Sequence, residues 1–476
     1  MVFNSFNFLL FFSLFVAVYF LLNHKYRWML LLTGSIVFYT FFNVYGIFLF
    51  TGVIIFNYFS GIAIEKATNK NIPLVLSCIF NIGCLFLFKY FNFFNTNLTE
   101  VLKIIGVNNP VPFFNFIMPV GISYYIFQAI GYNLDVSREM QSAEKHFGIF
   151  ATYFFFFPKI AQGPVERTRN LIPQFYEKHD FDYSRVVSGL QLMTWGLFKK
   201  VVIADRLALF VNHVYGHTTS YSGYILIIAG IFYTFQLYAD FSGYTDIALG
   251  AAEILGFKMI KNFDRPFSSK SVTEFWKRWH ISFSTWLMEY LYNPLSMVKR
   301  NWGKWGMVYA IMITFTISGV WHGVGWMFLF WGVINGIALS YEVLTVKFRK
   351  KLFKKIPVAL NKHISWSITF LFLCFSFSFS RNNNLSEGFH FITHLFKNPT
   401  TQVDLFNLGL DPLNFIVGVA AIIFMEIVQY YQSKGSVREM ISGKPMMVRW
   451  SIYCFIILAI LNFGIFGTNS FIYIQF

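Results

Sequence analysis

Apolar segments long enough to cross a membrane recur along the whole chain, from residues 6–22 to residues 450–466. An α-helix needs about 20 such residues to span the ~30 Å hydrocarbon core of a bilayer. The sequence is 56% hydrophobic and only 13% charged, whereas soluble domains carry about 25% charged residues. No polar block of domain size, roughly 100 residues, separates the apolar segments. We therefore expect one integral membrane domain over residues 1–476, with an all-α polytopic fold.

The distribution of Lys and Arg predicts the topology. Segments 347–357 and 432–449 are basic and are expected to be cytoplasmic, while residues 381–411 are poor in Lys and Arg. This pattern gives about ten or eleven crossings, with both termini outside. The predicted crossings lie near residues 6–22, 28–41, 44–63, 72–91, 113–133, 186–214, 222–239, 305–346, 364–380, 412–430 and 450–466.

Charge, cysteines and motifs exclude several classes of function. The net charge of +16 comes from short basic segments between apolar runs, so it reflects topology and predicts no nucleic-acid partner. Metalloprotease, serine hydrolase, P-loop and dinucleotide motifs do not occur. We expect no metal site and no tightly bound cofactor, and any chemistry must come from histidine. The cysteines lie in apolar segments without CxxC spacing or adjacent histidines: Cys78, Cys84, Cys374 and Cys454.

The middle third of the chain is less regular than the rest. Segments 154–170, 238–250 and 262–295 interrupt apolar runs with prolines, glycines and charged residues. Irregular backbone at membrane depth is tolerated only where it is buried in protein or lines a wet cavity. These segments therefore predict re-entrant helices and a functional core.

His322 lies in the sequence SGVWHGVGW, residues 318–326. A helix that leaves the basic turn near residue 304 reaches this histidine after about 23 Å, which is short of a full ~30 Å crossing and places it inside the outer half of the membrane. Intramembrane ionisable residues are functional candidates. The alternative is a packing role, in which Gly319 and Gly323 bring helices close and the histidine bonds to a neighbouring helix. Spacing alone leaves both interpretations open.

His280 lies in EFWKRWHISFSTW, residues 274–286. On a continuous helix, Trp276, His280 and Ser284 would stack at i, i+4 spacing, beside a stripe that contains Trp279. The charged residues between them suit a re-entrant or interfacial element. An amphipathic helix anchored at the lipid headgroups by Trp and Lys remains the alternative.

Asp240, Asp246 and Glu253 mark a third candidate region. Carboxylates at this depth can couple protons or bind a cation, as in a transporter. They can equally pair with Lys261 or Arg265 and hold the irregular segment together, and we favour this structural role.

Four motifs in order resemble those of the membrane-bound O-acyltransferase (MBOAT) family, and within it the bacterial alginate O-acetyltransferase branch. They are PKIAQGPVERTRNLIPQF (158–175), FSGYTDIALGAAEILGF (241–257), the segment 262–295, and WHGVGWMFLFWG (321–332). The resemblance covers about residues 119–339. It implies a ring of helices around a thinned centre, in the inner membrane of a bacterium, with His322 as catalytic histidine and His280 as the second histidine.

The resemblance also implies the reaction. An acyl group, expected to be acetyl, passes from a cytoplasmic thioester, acetyl-CoA or an acyl carrier, to a hydroxyl on the far side. His322 would act as general base, a contribution of about 10²- to 10⁴-fold. The acceptor would be an extracytoplasmic polysaccharide or a separate serine-type acetyltransferase. The residues expected to bind substrate or stabilise the oxyanion are Trp321, Ser284, Trp276, Trp279, Asn262 and Asp246, together with His280 as an oxyanion donor.

Two other functions fit the same residues. A transporter could move an acyl carrier or a glycolipid without bond chemistry, and it would tolerate replacement of His322 by Gln better than a general base. An O-acyltransferase that modifies lipids in the membrane plane needs a lateral groove, which a sequence does not reveal.

Overall fold

The computed structural model describes residues 1–42, 44–114, 118–160, 162–398, 404–467 and 471. Within these ranges the chain is helical and contains no strand, which confirms the all-α prediction. The first helices are α1 (Phe6–Leu21), α2 (His24–Thr40), α3 (Gly46–Lys66), α4 (Asn71–Leu85), α5 (Phe91–Ile104), α6 (Ile122–Ser137), α7 (Phe147–Phe155), α8 (Thr168–Tyr176), α9 (Tyr183–Phe198), α10 (Asp205–Gly216) and α11 (Tyr224–Leu255).

The second half of the chain continues in the same way, with α12 (Val272–Arg278), α13 (Ile281–Leu287), α14 (Asn293–Val298), α15 (Lys304–His322), α16 (Trp326–Leu344), α17 (Val346–Phe353), α18 (Val358–Arg381), α19 (Leu385–His394), α20 (Pro412–Gln432), α21 (Val437–Ser442) and α22 (Met446–Phe463). Three π-helical segments join successive helices: Phe86–Tyr90, Lys199–Ala204 and Met288–Tyr292. Short 3₁₀ turns lie at Thr218–Ser220, Pro266–Ser268, Arg300–Trp302 and Leu405–Asn407.

Eight helices in the described part of the chain are long and apolar enough to cross a membrane. Other predicted crossings fall on α1, α2, α6 and α15, which are shorter or more polar, and part of the crossing predicted near 113–133 lies outside the described residues. The protein is therefore a multi-pass membrane protein. The eight are Gly46–Lys66, Asn71–Ile104, Tyr183–Gly216, Tyr224–Leu255, Trp326–Leu344, Val358–Arg381, Pro412–Gln432 and Met446–Phe463.

The helices form two compact units. The first comprises Met1–Val186 and Ala252–Ile260, and the second comprises Val187–Ala251 and Lys261–Phe476. Both histidines singled out in the sequence, His280 and His322, belong to the second unit. The organisation of residues 1–476 as one functional domain stays a prediction.

Glu166 joins distant segments of the first unit through hydrogen bonds. Its carboxylate is buried and accepts hydrogen bonds from the Asn170 side chain at 2.6 Å and from the Ile260 backbone at 2.7 Å. Buried Lys159 donates to the Gln128 side chain at 2.6 Å. The motif PKIAQGPVERTRN is thus anchored by buried polar contacts, as irregular backbone requires in an apolar environment.

The second unit contains a buried cluster of ion pairs. Lys200 Nζ lies 2.9 Å from Asp205 and 2.7 Å from Asp240, and Lys199 Nζ lies 2.7 Å from Asp246. Both lysines begin the π-helical segment between α9 and α10, so two consecutive residues reach different partners on α11. We call these five residues the lysine cluster.

The prediction that Asp246 pairs with Lys261 or Arg265 is wrong. Lys261 and Arg265 both contact Asp264 instead, and Lys199 on the neighbouring helix takes their place beside Asp246. The structural role favoured for Asp246 fits this pairing.

Helices α15 and α16 pack at very short range through two glycines. The Cα of Gly332 would lie 3.0 Å from a Cβ at Gly319, and such a Cβ would overlap the carbonyl oxygen of Phe328. Small residues are what allow helix backbones to approach this closely in membranes. The packing interpretation is therefore right for these glycines, and the contact fixes the helix end that carries His322.

Candidate active site

His322 lines a small internal cavity of the second unit. The cavity volume is about 30 Å³, and a cavity of about 10 to 15 Å³ suffices for one water molecule. Helices α11, α15, α16 and α18 contribute to its wall together with the segment before α13. The described residues that line it are Tyr233, Leu237, Trp279, His322, Phe328, Trp331, Phe377 and Ser380.

His322 is held by the end of its helix and by aromatic rings. It is the last residue of α15 and is 8% exposed. The backbone then leaves the helix at Gly323, and Gly325 follows with φ +150°, a conformation that favours glycine. The imidazole centroid lies 5.0 Å from Trp331 and 4.8 Å from Trp321, in edge-to-face geometry. The glycine-rich sequence thus ends α15 at the depth where the histidine meets the cavity.

His280 interrupts a segment that reads as one helix in the sequence. Helix α12 ends at Arg278, α13 begins at Ile281, and His280 between them has φ +45°. The i, i+4 stripe of Trp276, His280 and Ser284 predicted for a continuous helix is therefore wrong. A non-glycine residue in left-handed conformation costs about 1 kcal/mol or more and persists only where its surroundings fix it.

Asn262 supplies the contacts that hold this break. Its side-chain oxygen lies 3.1 Å from His280 Nδ1 and 2.9 Å from the Ser282 hydroxyl, and its backbone carbonyl accepts a hydrogen bond from Ile281 N at 2.8 Å. His280 is fully buried. Asn262, in the non-helical segment before α12, therefore positions the second histidine from 18 residues away in the sequence.

The two histidines contact the same aromatic ring. Phe283 lies 5.1 Å from His280 and 5.5 Å from His322, measured between ring centroids. His280 lies between the candidate spans α11 and α16, and burial lowers its pKa well below the ordinary value, with a further contribution from nearby His322. A buried imidazole beside another imidazole is disfavoured in its charged form.

Four of the other predicted site residues lie at the cavity or beside the two histidines. Trp279 lines the cavity, Trp321 stacks on Phe283 at 4.2 Å, and Trp276 contacts Trp331 at 5.8 Å. Ser284 donates its hydroxyl hydrogen to the carbonyl of Trp279, which supports the backbone break.

Asp246 belongs to the lysine cluster and does not line the cavity. Its predicted role in binding substrate therefore has no support in the geometry of the cavity.

Several cavity residues were not singled out in the sequence. Trp331 sits on α16 close to the packing glycine Gly332, and the sequence WG offered a weak signal. Tyr233 and Phe377 come from α11 and α18, and nothing in their local sequence separates them from the other aromatic residues that face lipid or core. Only the fold brings them to His322.

No set of three histidine, cysteine or acidic side chains in the described ranges is arranged to hold a metal ion. The site offers an imidazole nitrogen among aromatic side chains. Such a nitrogen can accept a proton from a hydroxyl group within hydrogen-bond reach.

Comparison with known proteins places this arrangement in a family. The sequence profile of MBOAT, the membrane-bound O-acyltransferase family, matches residues 136–385, which include both histidines and Asn262. The probable alginate O-acetylase of Pseudomonas aeruginosa is 34% identical over 442 residues, covering 90% of this chain and 82% of that protein.

Two further relatives have related activities. The peptidoglycan O-acetyltransferase of Helicobacter pylori is 34% identical over 388 residues, 75% of this chain and 71% of that protein. The teichoic acid D-alanyltransferase of Bacillus subtilis is 28% identical over 274 residues, 55% of this chain and 68% of that protein. The chain therefore belongs to the membrane-bound O-acyltransferase family and is a multi-pass membrane O-acyltransferase.

Proposed function

We propose that the protein transfers an acetyl group from a cytoplasmic thioester to a hydroxyl of an extracytoplasmic polysaccharide, directly or through a separate acetyltransferase, with His322 as general base. The observation that carries this proposal is the position of His322, at the end of α15 and on the wall of a small aromatic cavity. The names of the relatives support a cell-envelope acceptor, because they act on alginate, peptidoglycan and teichoic acid.

The proposed reaction is a thioester acyl transfer. His322 accepts the proton of the acceptor hydroxyl while the oxygen attacks the thioester carbonyl carbon. The tetrahedral intermediate then expels the sulfur, which takes a proton from the imidazolium and leaves as a thiol. A new C–O ester bond replaces the C–S bond, and His322 returns to its neutral form, so the transfer consumes no other reactant.

The topology favours an outer acceptor. If the basic segment 347–357 is cytoplasmic, as the positive-inside rule predicts, α18 carries Ser380 toward the outside and α15 carries His322 the same way. The cavity that contains both residues then lies nearer the extracytoplasmic ends of these helices. This orientation belongs to a protein of the bacterial inner membrane with both termini outside.

The partner and the donor follow from the same orientation. Acetyl-CoA or an acyl carrier thioester would approach from the cytoplasm, and a serine-type acetyltransferase on the outer side would take the acetyl group where the polysaccharide itself does not reach the cavity. The acyl donor is a substrate in this proposal, and no tightly bound cofactor is required.

The decisive experiment measures ester-linked acetate on the extracellular and cell-wall polysaccharides of three strains. They carry wild-type protein, His322→Ala, or no protein, and protein levels in the membrane are compared by immunoblot. We expect His322→Ala to match the strain without protein while its membrane level stays normal. The polysaccharide that loses acetate identifies the acceptor.

Two outcomes would contradict the proposal. Equal acetate in the wild-type and deleted strains would exclude acetylation of a polysaccharide and favour transport or acylation of lipid. Acetate in the His322→Ala strain close to the wild-type level would show that another residue acts as the base.

A further inference from the structure

The hydrogen bonds of the Asn262 side chain identify which imidazole nitrogen of His280 carries the hydrogen. A backbone N–H can only donate a hydrogen bond, and the N–H of Ser282 lies 3.2 Å from the Oδ1 of Asn262. The group that faces Ser282 must therefore be the amide oxygen and not the amide nitrogen, which fixes the orientation of the Asn262 side chain. The Ser282 hydroxyl donates to the same oxygen at 2.9 Å.

The same oxygen faces the imidazole. His280 Nδ1 lies 3.1 Å from Asn262 Oδ1. Because an amide oxygen only accepts hydrogen bonds, Nδ1 must carry the hydrogen, and a neutral imidazole then has its lone pair on Nε2.

We propose that Asn262 is a positioning residue that holds His280 as the neutral Nδ1–H tautomer, with the lone pair of the ring on Nε2. This inference rests on the proposed function and deepens it. In this tautomer the Nε2 of His280 carries no hydrogen and cannot donate a hydrogen bond to the oxyanion, so other donors must stabilise the oxyanion while His322 takes the proton of the hydroxyl.

The backbone around the two residues makes the arrangement rigid. The backbone carbonyl of Asn262 accepts a hydrogen bond from the N–H of Ile281 at 2.8 Å. The N–H of Asp264 donates a hydrogen bond to the carbonyl oxygen of Arg278 at 2.9 Å. These two bonds join the segment before α12 to the turn that contains His280, on either side of the left-handed residue. The imidazole of His280 is thus fixed in both orientation and tautomer.

Nitrogen-15 NMR of histidine-labelled protein in lipid tests the tautomer directly. The signals of His280 are assigned by their loss in His280→Gln. In wild-type protein at neutral pH we expect a neutral ring with a protonated Nδ1 and an unprotonated Nε2. In Asn262→Leu we expect a mixture of tautomers. In Asn262→Asp the new carboxylate keeps an acceptor at Nδ1 and raises the pKa of His280, so the charged form should appear at higher pH.

Activity gives a second, independent readout, with acetyl-CoA as the donor probe and membranes that contain the full chain. Asn262→Leu should lower kcat about 10- to 100-fold, the usual cost of losing the partner that fixes a histidine, with little change in KM for acetyl-CoA. Asn262→Asp should recover activity at high pH, because the acid limb of its pH profile moves upward as the imidazolium becomes more stable.

A buried asparagine elsewhere in the second unit provides the matched control. Asn382 is 4% exposed and donates to the carbonyl of Ser378. Asn382→Leu also removes a buried amide, and it should leave the His280 signals and the pH profile unchanged.

The proposal and the function it rests on fail in different ways. A His280 that is charged, or that carries its hydrogen on Nε2, would overturn the assignment, as would a spectrum that Asn262→Leu does not change. Wild-type membranes that transfer no acetyl group from acetyl-CoA would count against the proposed donor, while the NMR result would still decide the tautomer.

Discussion

Two groups of buried ionisable side chains in the second unit have different surroundings. In the lysine cluster, two ammonium groups meet three carboxylates at 2.7 to 2.9 Å. Around the histidines most neighbours are aromatic rings and none of the contacts described is an ion pair: Phe283 contacts both histidines, Trp321 and Trp331 contact His322, and the uncharged Asn262 contacts His280. None of the described residues that line the cavity carries a carboxylate or an ammonium group.

This contrast distinguishes buried groups that stabilise the fold, in the lysine cluster, from buried groups that can take part in a reaction, at the histidines. Opposite charges at short range stabilise one another in a low dielectric and lock two helices into one arrangement. Burial among aromatic rings lowers the pKa of His280 instead, because the charged imidazolium is disfavoured there. Depth in the membrane alone does not distinguish these uses, and the identity of the neighbours does.

The largest effect should come from removing the imidazole of His322. His322→Gln keeps a polar side chain of similar size but provides no base, so the acetyl-transfer rate should fall about 10²- to 10⁴-fold, or about 2.7 to 5.4 kcal/mol in activation free energy. The thermal unfolding midpoint in detergent should not change. A rate within a few-fold of wild type would place His322 with the structural residues and break the comparison.

Lys200→Met should have the opposite profile. It leaves Asp205 and Asp240 without their ammonium group in a buried site, a change that costs about 3 to 5 kcal/mol. We expect less protein in the membrane and a lower unfolding midpoint, with the activity per folded molecule largely retained.

A compensated variant controls for the lost charge. Combining Lys200→Met with Asp205→Asn and Asp240→Asn removes the unpaired carboxylates and should recover part of the lost stability. If the unfolding midpoint of the triple variant is no higher than that of Lys200→Met, unpaired charge is not the cause of the instability.

Gly319→Ala tests the contact that fixes the end of α15. The added methyl group would overlap the Phe328 carbonyl, and overpacking of this kind costs about 1 to 3 kcal/mol. Because His322 lies three residues further on, both unfolding midpoint and rate should fall. The control is Gly52→Ala on α3, where nothing lies within 4 Å of an added Cβ, and it should change stability by no more than about 0.5 kcal/mol.

The smallest effect is expected at a half-buried carboxylate. Glu342 on α16 accepts hydrogen bonds from the backbone N–H groups of Val272 and Thr273, at 2.9 and 3.0 Å, and so caps α12. Glu342→Gln keeps one acceptor and loses the charge, which should cost about 1 kcal/mol. Unfolding measured at two salt concentrations checks this, since the wild-type advantage should shrink as salt screens the charge.

Much of the fold follows from the sequence because the signal is repeated and local. Apolar runs between basic turns place most of the long helices, and the distance from the basic turn near residue 304 places His322 close to the end of α15. Gly319 and Gly323 predict a packing face, and Gly319 lies against Gly332 of α16. Each of these inferences uses residues that are near one another in the chain.

The details of the site depend on contacts between distant segments. The segment around His280 has the composition of one helix, and it breaks because Asn262, from before α12, bonds to the turn. Asp246 had candidate partners close in sequence, but Lys199 reaches it from another helix. The aromatic wall needs α11 and α18 together, and no single-sequence pattern states that these helices meet at His322.

The π-helical segment Lys199–Ala204 also fixes how many residues the chain must have at this point. A π turn holds one residue more than the α turn it replaces, and one residue corresponds to a rotation of about 100° around the helix axis. Deleting a single residue here would restore an ordinary helix and turn one of the two lysines away from its carboxylate partner. The ion pairs of Lys199 and Lys200 therefore depend on the extra residue that the π turn holds, and the length of the chain is constrained at this point.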